Sequence, residues 1–267
     1  MKKQMISADY SQPAVACSNV SFTYSGTTRV IEDVSLEIRA GEKTAIIGPN
    51  GAGKSTFLTL LNGLRPFDGS ISLFGVPVEA RYSRQVKSIL GLVFQNPNDQ
   101  LFSPTVYEDV AFGPLNLGLG TEEVRERVQH ALEDVGLEGF EDRFALQLSY
   151  GERKLVAIAT IVSMMPAIFA MDEPTSMLDP AHRRKIIKWI QRCDHTLLIT
   201  SHDLDMVMET CDRVNIFNRG KIAASGLTTE ILSNRELLEA NDLELPLSMQ
   251  HTSGHGFYNE RIKQSAL

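Results

Sequence analysis

Residues 48–56, GPNGAGKST, combine glycines, a lysine and hydroxyl side chains at the spacing of a phosphate-binding loop. The segment follows the apolar run TAIIG and precedes FLTLLNGL, so it joins a predicted strand to a predicted helix. Its glycines let backbone N–H groups turn inward around phosphate oxygens, and the helix start adds about half a positive charge. We expect Lys54 to reach the β- and γ-phosphates and the Ser55 hydroxyl to bind Mg²⁺. The predicted nucleotide contacts are Gly48, Pro49, Asn50, Gly51, Ala52, Gly53, Lys54, Ser55 and Thr56.

Two acids follow a second apolar run, in AIFAMDEP at residues 167–174. Carboxylates directly after a buried strand lie at the carboxyl edge of the sheet, where α/β proteins bind ligands. Asp172 is therefore predicted to bind Mg²⁺. Glu173 would point the other way along the strand and take a proton from attacking water. His202 follows a third apolar run, TLLIT, and is predicted to contact the γ-phosphate at the same edge; the alternative is a solvated acid pair and a structural histidine.

The stretch LSYGER, residues 148–153, places a serine, a tyrosine and a glycine at the start of an apolar helix predicted at residues 152–165. The first N–H groups of a helix have no intrahelical partners, so Ser149 can cap them and Gly151 lets an anion approach the backbone. One interpretation is an ordinary N-cap followed by a glycine turn. The other is a second anion-binding helix start, which would serve a triphosphate held by another copy of the protein.

The run LVAIATIVSMMPAIFAM, residues 155–171, carries no charge, and its length is near the lower limit for a membrane span. Pro166 interrupts the run and DEP follows it at once. This pattern favours a buried helix ending at Met165 and a short buried strand at 167–171 over a membrane helix.

Together these motifs resemble those of ABC transporter ATP-binding proteins, and they occur in that family's order over residues 14 to about 230. LSYGERK resembles the signature motif LSGGQ, while GPNGAGKST and IFAMDEP match the two nucleotide motifs. SMLD, at 176–179, resembles the dimer-contact loop, and His202 resembles the switch histidine. Gln95 in LVFQNP resembles the glutamine that precedes the helical subdomain, and Tyr24 in SFTYSG resembles the aromatic residue that stacks on adenine.

The resemblance implies a head-to-tail dimer in which two ATP molecules lie between the phosphate loop of one copy and the signature motif of the other. ATP and Mg²⁺ are the implied ligands, and the implied metal ligands are Ser55, Gln95 and Asp172. The implied catalytic residues are Glu173, His202 and Lys54. Ser149 and Gly151 are retained as ATP-binding residues of the signature motif, whereas Tyr150, Glu152 and Leu155 replace the glycine, glutamine and arginine that are common there.

The stretch VFQNPNDQLFSPTVYEDVAFGPLNLGL, residues 93–119, strongly resembles the ATP-binding subunits of energy-coupling factor importers, particularly the cobalt and nickel type. In that group the region forms a groove for a helix of the membrane subunit. Its apolar side chains indicate a docking surface, although several would pack under their own helix. These side chains are Leu101, Phe102, Val106, Tyr107, Phe112 and Leu115.

The resemblance also implies the partners and the location of the protein. The partners would be a second ATP-binding subunit, identical or a paralogue, an integral membrane energy-coupling subunit and a cargo-binding membrane subunit. The chain would lie peripherally at the cytoplasmic face of the cell membrane. Cobalt or nickel is the first choice of cargo, and biotin and other vitamins stay open because a different chain binds the cargo.

Composition limits the other functional classes. The chain has 26 Lys and Arg against 33 Asp and Glu, a net charge of −7, which disfavours nucleic-acid binding through phosphate contacts. It has one phosphate loop and no heptad run, which disfavours a soluble ABC ATPase acting on DNA or ribosomes. LSYGE and SMLD disfavour a P-loop kinase or GTPase. Cys17, Cys193 and Cys211 are widely spaced and predict no disulfide framework.

The predicted fold class is α/β, a P-loop NTPase (RecA-like) core with an antiparallel β subdomain and an inserted α-helical subdomain. Residues 14–230 are predicted to form the ATP-binding domain, with the helical subdomain at about 97–165, and 231–267 a C-terminal extension. Within the subdomain, TEEVRERVQHALEDVGL predicts an amphipathic helix capped by Thr121, with Val124, Val128, Leu132 and Val135 buried. His251 and His255 could suggest metal binding, but a disordered tail is the favoured interpretation.

Overall fold

The computed structural model describes residues 8–25 and 29–250 of the chain, which form two sheets flanked by helices. The strands are β1 Val15–Thr23, β2 Arg29–Ile38, β3 Lys43–Ile47, β4 Asp68–Leu73, β5 Val76–Pro77, β6 Leu90–Val93, β7 Ile168–Asp172, β8 Thr196–Thr200, β9 Arg213–Asn218 and β10 Lys221–Leu227. The helices are α1 Lys54–Leu61, α2 Ser83–Ile89, α3 Val106–Leu117, α4 Thr121–Asp134, α5 Tyr150–Val162, α6 Pro180–Arg192, α7 Leu204–Thr210, α8 Thr228–Ser233, α9 Arg235–Glu239 and α10 Leu247–Gln250.

The larger sheet has the order β10-β9-β3-β8-β7-β6, and its strands are parallel except for β10. Strands β7 and β8 are buried along their whole length, as expected for central parallel strands covered on both faces. Because parallel strands end at the same edge, the segments after β3, β6, β7 and β8 meet there. The smaller sheet, β2-β1-β4-β5, is antiparallel. The predicted fold class is confirmed.

Helices α3, α4 and α5 pack on one another and form the inserted helical subdomain. The four residues predicted as the buried stripe of α4 are buried: Val124, Val128, Leu132 and Val135. The prediction that Thr121 caps this helix is wrong, because Thr121 is its first residue and Gly120 is the N-cap, with no side-chain hydrogen bond.

The apolar run 155–171 divides into helix α5 and strand β7, but the predicted bounds of the helix are wrong. Helix α5 starts at Tyr150, two residues before the predicted start, because Ser149 caps it. It ends at Val162 rather than at Met165, which adopts a left-handed backbone with φ of 53°. Within the described residues, no helix has both the length and the hydropathy that a membrane crossing requires.

The junction between the helical subdomain and the core is bridged by polar contacts to Asp134, the last residue of α4. The indole Nε1 of Trp189 in α6 donates to Asp134 Oδ2 at 2.5 Å, and Arg192 Nη2 lies 3.1 Å from Asp134 Oδ1. Trp189 is 4% exposed, and its ring packs edge-on against Phe169 of β7. Helices α4 and α6 are therefore joined by one charged group.

Residues 231–250, the described part of the predicted C-terminal extension, pack on the core. Leu243 and Leu245 contact the main apolar cluster, and the Leu247 N–H donates to Asp205 Oδ2 of α7 at 3.1 Å. His251 and His255 lie outside the described residues. All three cysteines are free and buried, in agreement with the sequence analysis.

Candidate functional site

A cavity of about 560 Å³ opens at the carboxyl edge of the larger sheet, and it brings together five separate segments of the chain. It is lined by Val30, Asn50, Gly51, Ala52, Gly53, Lys54, Ser55, Thr56, Gln95, Glu173 and His202. The predicted residues of the phosphate loop thus lie with those that follow β6, β7 and β8. Gly48 and Pro49, the first two residues of the loop, do not line this cavity, and their carbonyls accept hydrogen bonds from Lys54.

The amine of Lys54 is folded back onto its own loop at the start of α1. Its Nζ donates to the carbonyls of Gly48 at 2.8 Å and Pro49 at 3.1 Å, and the residue is buried. Burial lowers the pKa of Lys54, and the charges of Glu173 and Asp172 oppose this shift. The ammonium therefore lies at the phosphate loop. A bound anion there would replace the two carbonyl groups as its hydrogen-bond partners.

Asp172, the last residue of β7, forms a group of oxygen atoms with two hydroxyl side chains. Its Oδ1 accepts from Thr200 Oγ1 at 2.5 Å and from Ser55 Oγ at 3.0 Å. Gln95 lines the same cavity as Ser55. Carboxylate, hydroxyl and amide oxygens are the ligands that Mg²⁺ prefers, so the residues present fit this ion. Thr200 was not predicted from the sequence; its only signal there is a polar residue ending the apolar run TLLIT.

Glu173 does not continue the strand, so the reason given for its orientation is wrong. Strand β7 ends at Asp172, and Glu173 adopts a left-handed backbone with φ of 46°. Its N–H donates to Thr200 O at 3.1 Å, which fixes this turn against β8. The carboxylate, 6% exposed, meets His202 of the next strand end, whose Nδ1 lies 2.7 Å from Glu173 Oε2. The acid and the histidine thus lie together at the cavity.

Tyr24 lies beside the phosphate loop, and its hydroxyl is 3.1 Å from Thr56 Oγ1. The guanidinium of Arg65 lies 4.8 Å from the centre of its ring, and Phe22 packs edge-on against it. Sequence reasoning missed Arg65 because it follows α1 in a loop with no motif.

The signature segment begins α5 with a capping box. Ser149 Oγ accepts from the Glu152 N–H at 3.3 Å, and the Glu152 carboxylate accepts from the Ser149 N–H at 2.8 Å. The nearby Ser149 hydroxyl and the hydrogen bond from the Ser149 backbone N–H lower the pKa of the Glu152 carboxyl. Glutamic acid in place of the common glutamine therefore preserves the helix start. Ser149 and Gly151 do not line the 560 Å³ cavity of their own chain.

Gly151 is buried against a residue of the same chain, which is a second reason for glycine at this position. A Cβ atom there would lie 2.7 Å from Cδ2 and Nδ1 of His182 in α6. His182 Nδ1 lies 2.5 Å from Asp179 Oδ2, and Asp179 is the last residue of SMLD. The glycine thus allows close contact between the start of α5 and the start of α6.

Lys154, which sequence reasoning did not single out, is fully buried one turn into α5. Its Nζ donates to Gln95 O at 2.6 Å and to Phe94 O at 3.1 Å. Burial lowers the pKa of Lys154 to about 8, and the charges of Asp172 and Glu173 oppose this shift. The side chain therefore joins α5 to the segment that carries Gln95 into the nucleotide cavity.

A second, apolar groove lies at the junction of α3, α5 and β6 and has a volume of about 340 Å³. At its rim the rings of Phe102 and Phe112 meet edge-on at 4.9 Å, and both are largely exposed, at 68% and 50%. Of the other residues expected at a docking surface, Leu115 is exposed, Val106 is buried, and Leu101 and Tyr107 pack on the core.

The fold and the nucleotide cavity define a P-loop nucleoside triphosphatase. A profile of the ABC transporter family matches residues 31–176. The chain is 43% identical over 240 residues to the energy-coupling factor transporter ATP-binding protein EcfA of Methanocaldococcus jannaschii, covering 87% of this chain and 85% of that protein. The chain therefore belongs to the ABC transporter ATP-binding proteins of the energy-coupling factor type, which couple ATP hydrolysis to transport.

Two solved structures of this family share the fold. CbiO1 of Clostridium perfringens, part of the ABC transporter complex CbiONQ, is 33% identical, with a TM-score of 0.76 over 90% of this chain and 98% of that chain. A dimeric post-hydrolysis state of the ATP-binding cassette MJ0796 bound to ADP and Pi is 26% identical, with a TM-score of 0.74 over 80% of this chain and 98% of that chain.

Proposed function

We propose that this chain is the ATPase subunit of an energy-coupling factor importer that takes up cobalt or nickel. One observation supports the ATPase activity in this proposal. Lys54, the Ser55–Asp172 pair and the Glu173–His202 pair come together at one cavity. ATP lies along the phosphate loop with its base on Tyr24, and the Lys54 amine exchanges its carbonyl partners for phosphate oxygens.

In the proposed reaction Glu173 takes a proton from a water molecule as its oxygen attacks the γ-phosphorus. The bond from that phosphorus to the bridging oxygen of ADP breaks, and Lys54 stabilises the charge on the phosphoryl oxygens. His202 holds the carboxylate through Nδ1 and its backbone N–H and reaches the γ-phosphate side of the cavity. Mg²⁺, held by Ser55, Asp172 and Gln95, would neutralise charge on the β- and γ-phosphates.

Closure of two copies, or of this chain and a paralogue, completes the site. Ser149 and Gly151, absent from the cavity of their own chain, cover the γ-phosphate of the partner with the N-terminus of α5. The dimeric state of MJ0796 with ADP and Pi supports this arrangement.

The apolar groove at Phe102 and Phe112 receives a helix of an integral membrane subunit at the cytoplasmic face of the cell membrane. Its exposed aromatic rim supports this, because such side chains dominate protein interfaces. The segment between Gln95 and the groove is short, so closure around ATP moves the docked helix.

The cargo is assigned by likeness, because CbiO1 belongs to the CbiONQ complex. The test compares the native host with a strain whose only copy carries Lys54→Ala, and measures the uptake of radioactive cobalt, nickel and biotin. Loss of cobalt or nickel uptake alone supports the proposal. Loss of biotin uptake alone would identify a vitamin, and not a metal ion, as the cargo. Unchanged uptake of all three compounds would contradict the assignment.

A further inference from the structure

Helix α5 and the segment that carries Gln95 are connected by two sets of hydrogen bonds. Lys154 donates to the carbonyls of Phe94 and Gln95, at 3.1 and 2.6 Å. Gln100 Oε1 accepts from the Phe94 N–H at 3.0 Å, and Gln100 Nε2 donates to Ala157 O of α5 at 2.8 Å. The backbone that follows β6 is therefore bound to α5 in two ways. Its carbonyl groups bind Lys154 directly, and its N–H group at Phe94 binds α5 through the side chain of Gln100.

Burial of the Lys154 ammonium costs free energy, because a fully buried charge loses its hydration. In return, the amine binds only two carbonyl groups. A methionine would fill similar volume without that cost. The acids Asp172 and Glu173 interact with the ammonium from the end of β7, but neither forms a hydrogen bond with it in the described structure. The direct role of the amine is to bind the carbonyls of Phe94 and Gln95.

We propose that Lys154 is a positioning residue for the ATPase reaction, which holds Gln95 at the nucleotide cavity and makes its position depend on α5. Gln95 itself is exposed at the cavity, so its backbone attachment limits where the amide can go. Helix α5 begins at the signature segment, which is proposed to close on the nucleotide of the partner. Movement of that helix would shift Gln95 in the same chain. The inference rests on the proposed nucleotide site.

The test compares K154M with the wild type and with K188M, the same change at an exposed lysine of α6. The full-length subunit is titrated with a non-hydrolysable ATP analogue, with and without Mg²⁺, and the assembled complex is assayed for ATPase activity. We expect K154M to lower kcat about tenfold and the Mg²⁺-dependent gain in affinity by a similar factor, as for a lost hydrogen bond to a charged group. Binding without Mg²⁺ and the behaviour of K188M should stay within about twofold of the wild type.

Two further variants separate the possible failures. K154R keeps the cation and should recover most of both effects. Q95A should lower the Mg²⁺-dependent gain in affinity for the ATP analogue, as K154M does. If Q95A leaves that gain unchanged, the proposal that Gln95 binds Mg²⁺ is wrong. If Q95A has the effect and K154M does not, or if neither Lys154 variant folds, the inference on Lys154 is wrong and the residue is structural.

Discussion

Glu173 Oε2 accepts a hydrogen bond from the backbone N–H of His202 at 3.3 Å and lies 2.7 Å from Nδ1 of the same residue. Both residues follow parallel strands, β7 and β8, whose ends are adjacent in the sheet. In the proposed reaction, the other carboxylate oxygen of Glu173 would accept the proton of the attacking water.

For Glu173→Gln we expect nucleotide binding to persist while turnover falls by at least about a hundredfold, because an amide cannot accept the proton of attacking water. ATPase rates of the reconstituted complex and equilibrium binding of ATP measure the two effects. A variant that turns over ATP at the normal rate would remove Glu173 as the base.

The packing of Gly151 against His182 predicts the effect of a single methyl group. Gly151→Ala should destabilise the fold by about 1–3 kcal/mol, because the added Cβ overlaps the imidazole. The double variant with His182→Ala should recover most of this loss in urea unfolding.

The same pair of variants distinguishes the two roles of the glycine. If Gly151 is also needed for approach of an anion to the backbone, the double variant will be stable and still deficient in ATPase activity. Full recovery of activity would leave packing as the only role.

The capping box predicts unequal effects of two substitutions at the start of α5. Ser149→Ala removes the acceptor for the Glu152 N–H and should cost about 1 kcal/mol of unfolding free energy. Glu152→Gln keeps an acceptor for the Ser149 N–H and should change it by less than about 0.5 kcal/mol. Chemical denaturation checks both, and equal losses would contradict the capping role.

Lys154 predicts a pH dependence of stability, measured without nucleotide or Mg²⁺. Its folded pKa of about 8 lies below its ordinary value of 10.5. Below pH 8 both the folded and the unfolded chain carry the charge, so the cost of burying it is present in full. From pH 8 to 10.5 the unfolded chain binds the proton more tightly, so rising pH removes that cost.

The stability of the wild type relative to K154M should therefore rise over this range by about 3 kcal/mol. Urea unfolding of both proteins at several pH values measures the difference. A difference that stays constant with pH would mean that the buried amine keeps its ordinary pKa.

The exposed groove predicts a selective loss of partner binding. Phe112→Ala should weaken association with the membrane subunits about tenfold, since it removes an exposed aromatic side chain from the proposed interface. Leu247→Ala, an exposed apolar residue of α10, is the matched control and should bind as the wild type does. Co-purification of tagged subunits from detergent extracts measures this, and equal binding by both variants would exclude the groove.

The sheet edge could be predicted from the sequence because Asp172 and His202 each follow a short apolar run that indicates a buried strand. Glu173 was placed correctly at the cavity for the wrong reason, because its left-handed backbone depends on hydrogen bonds to Thr200 that no local pattern encodes.

Contacts between distant segments could not be predicted in the same way. The bond from Lys154 to Gln95 crosses 59 positions of the chain, and in the sequence Lys154 is only one polar residue at the start of an apolar helix. The contact of Gly151 with His182 is similar, since two helices must pack before the need for glycine exists.

The bridge from Trp189 to Asp134 has a practical consequence, because this is the single tryptophan of the chain. Indole emission responds to the polarity and hydrogen bonding around the ring. The native protein thus contains an intrinsic fluorophore at the contact between the helical subdomain and the core. Stopped-flow records of that emission after mixing with ATP would report any change at this contact without an attached dye.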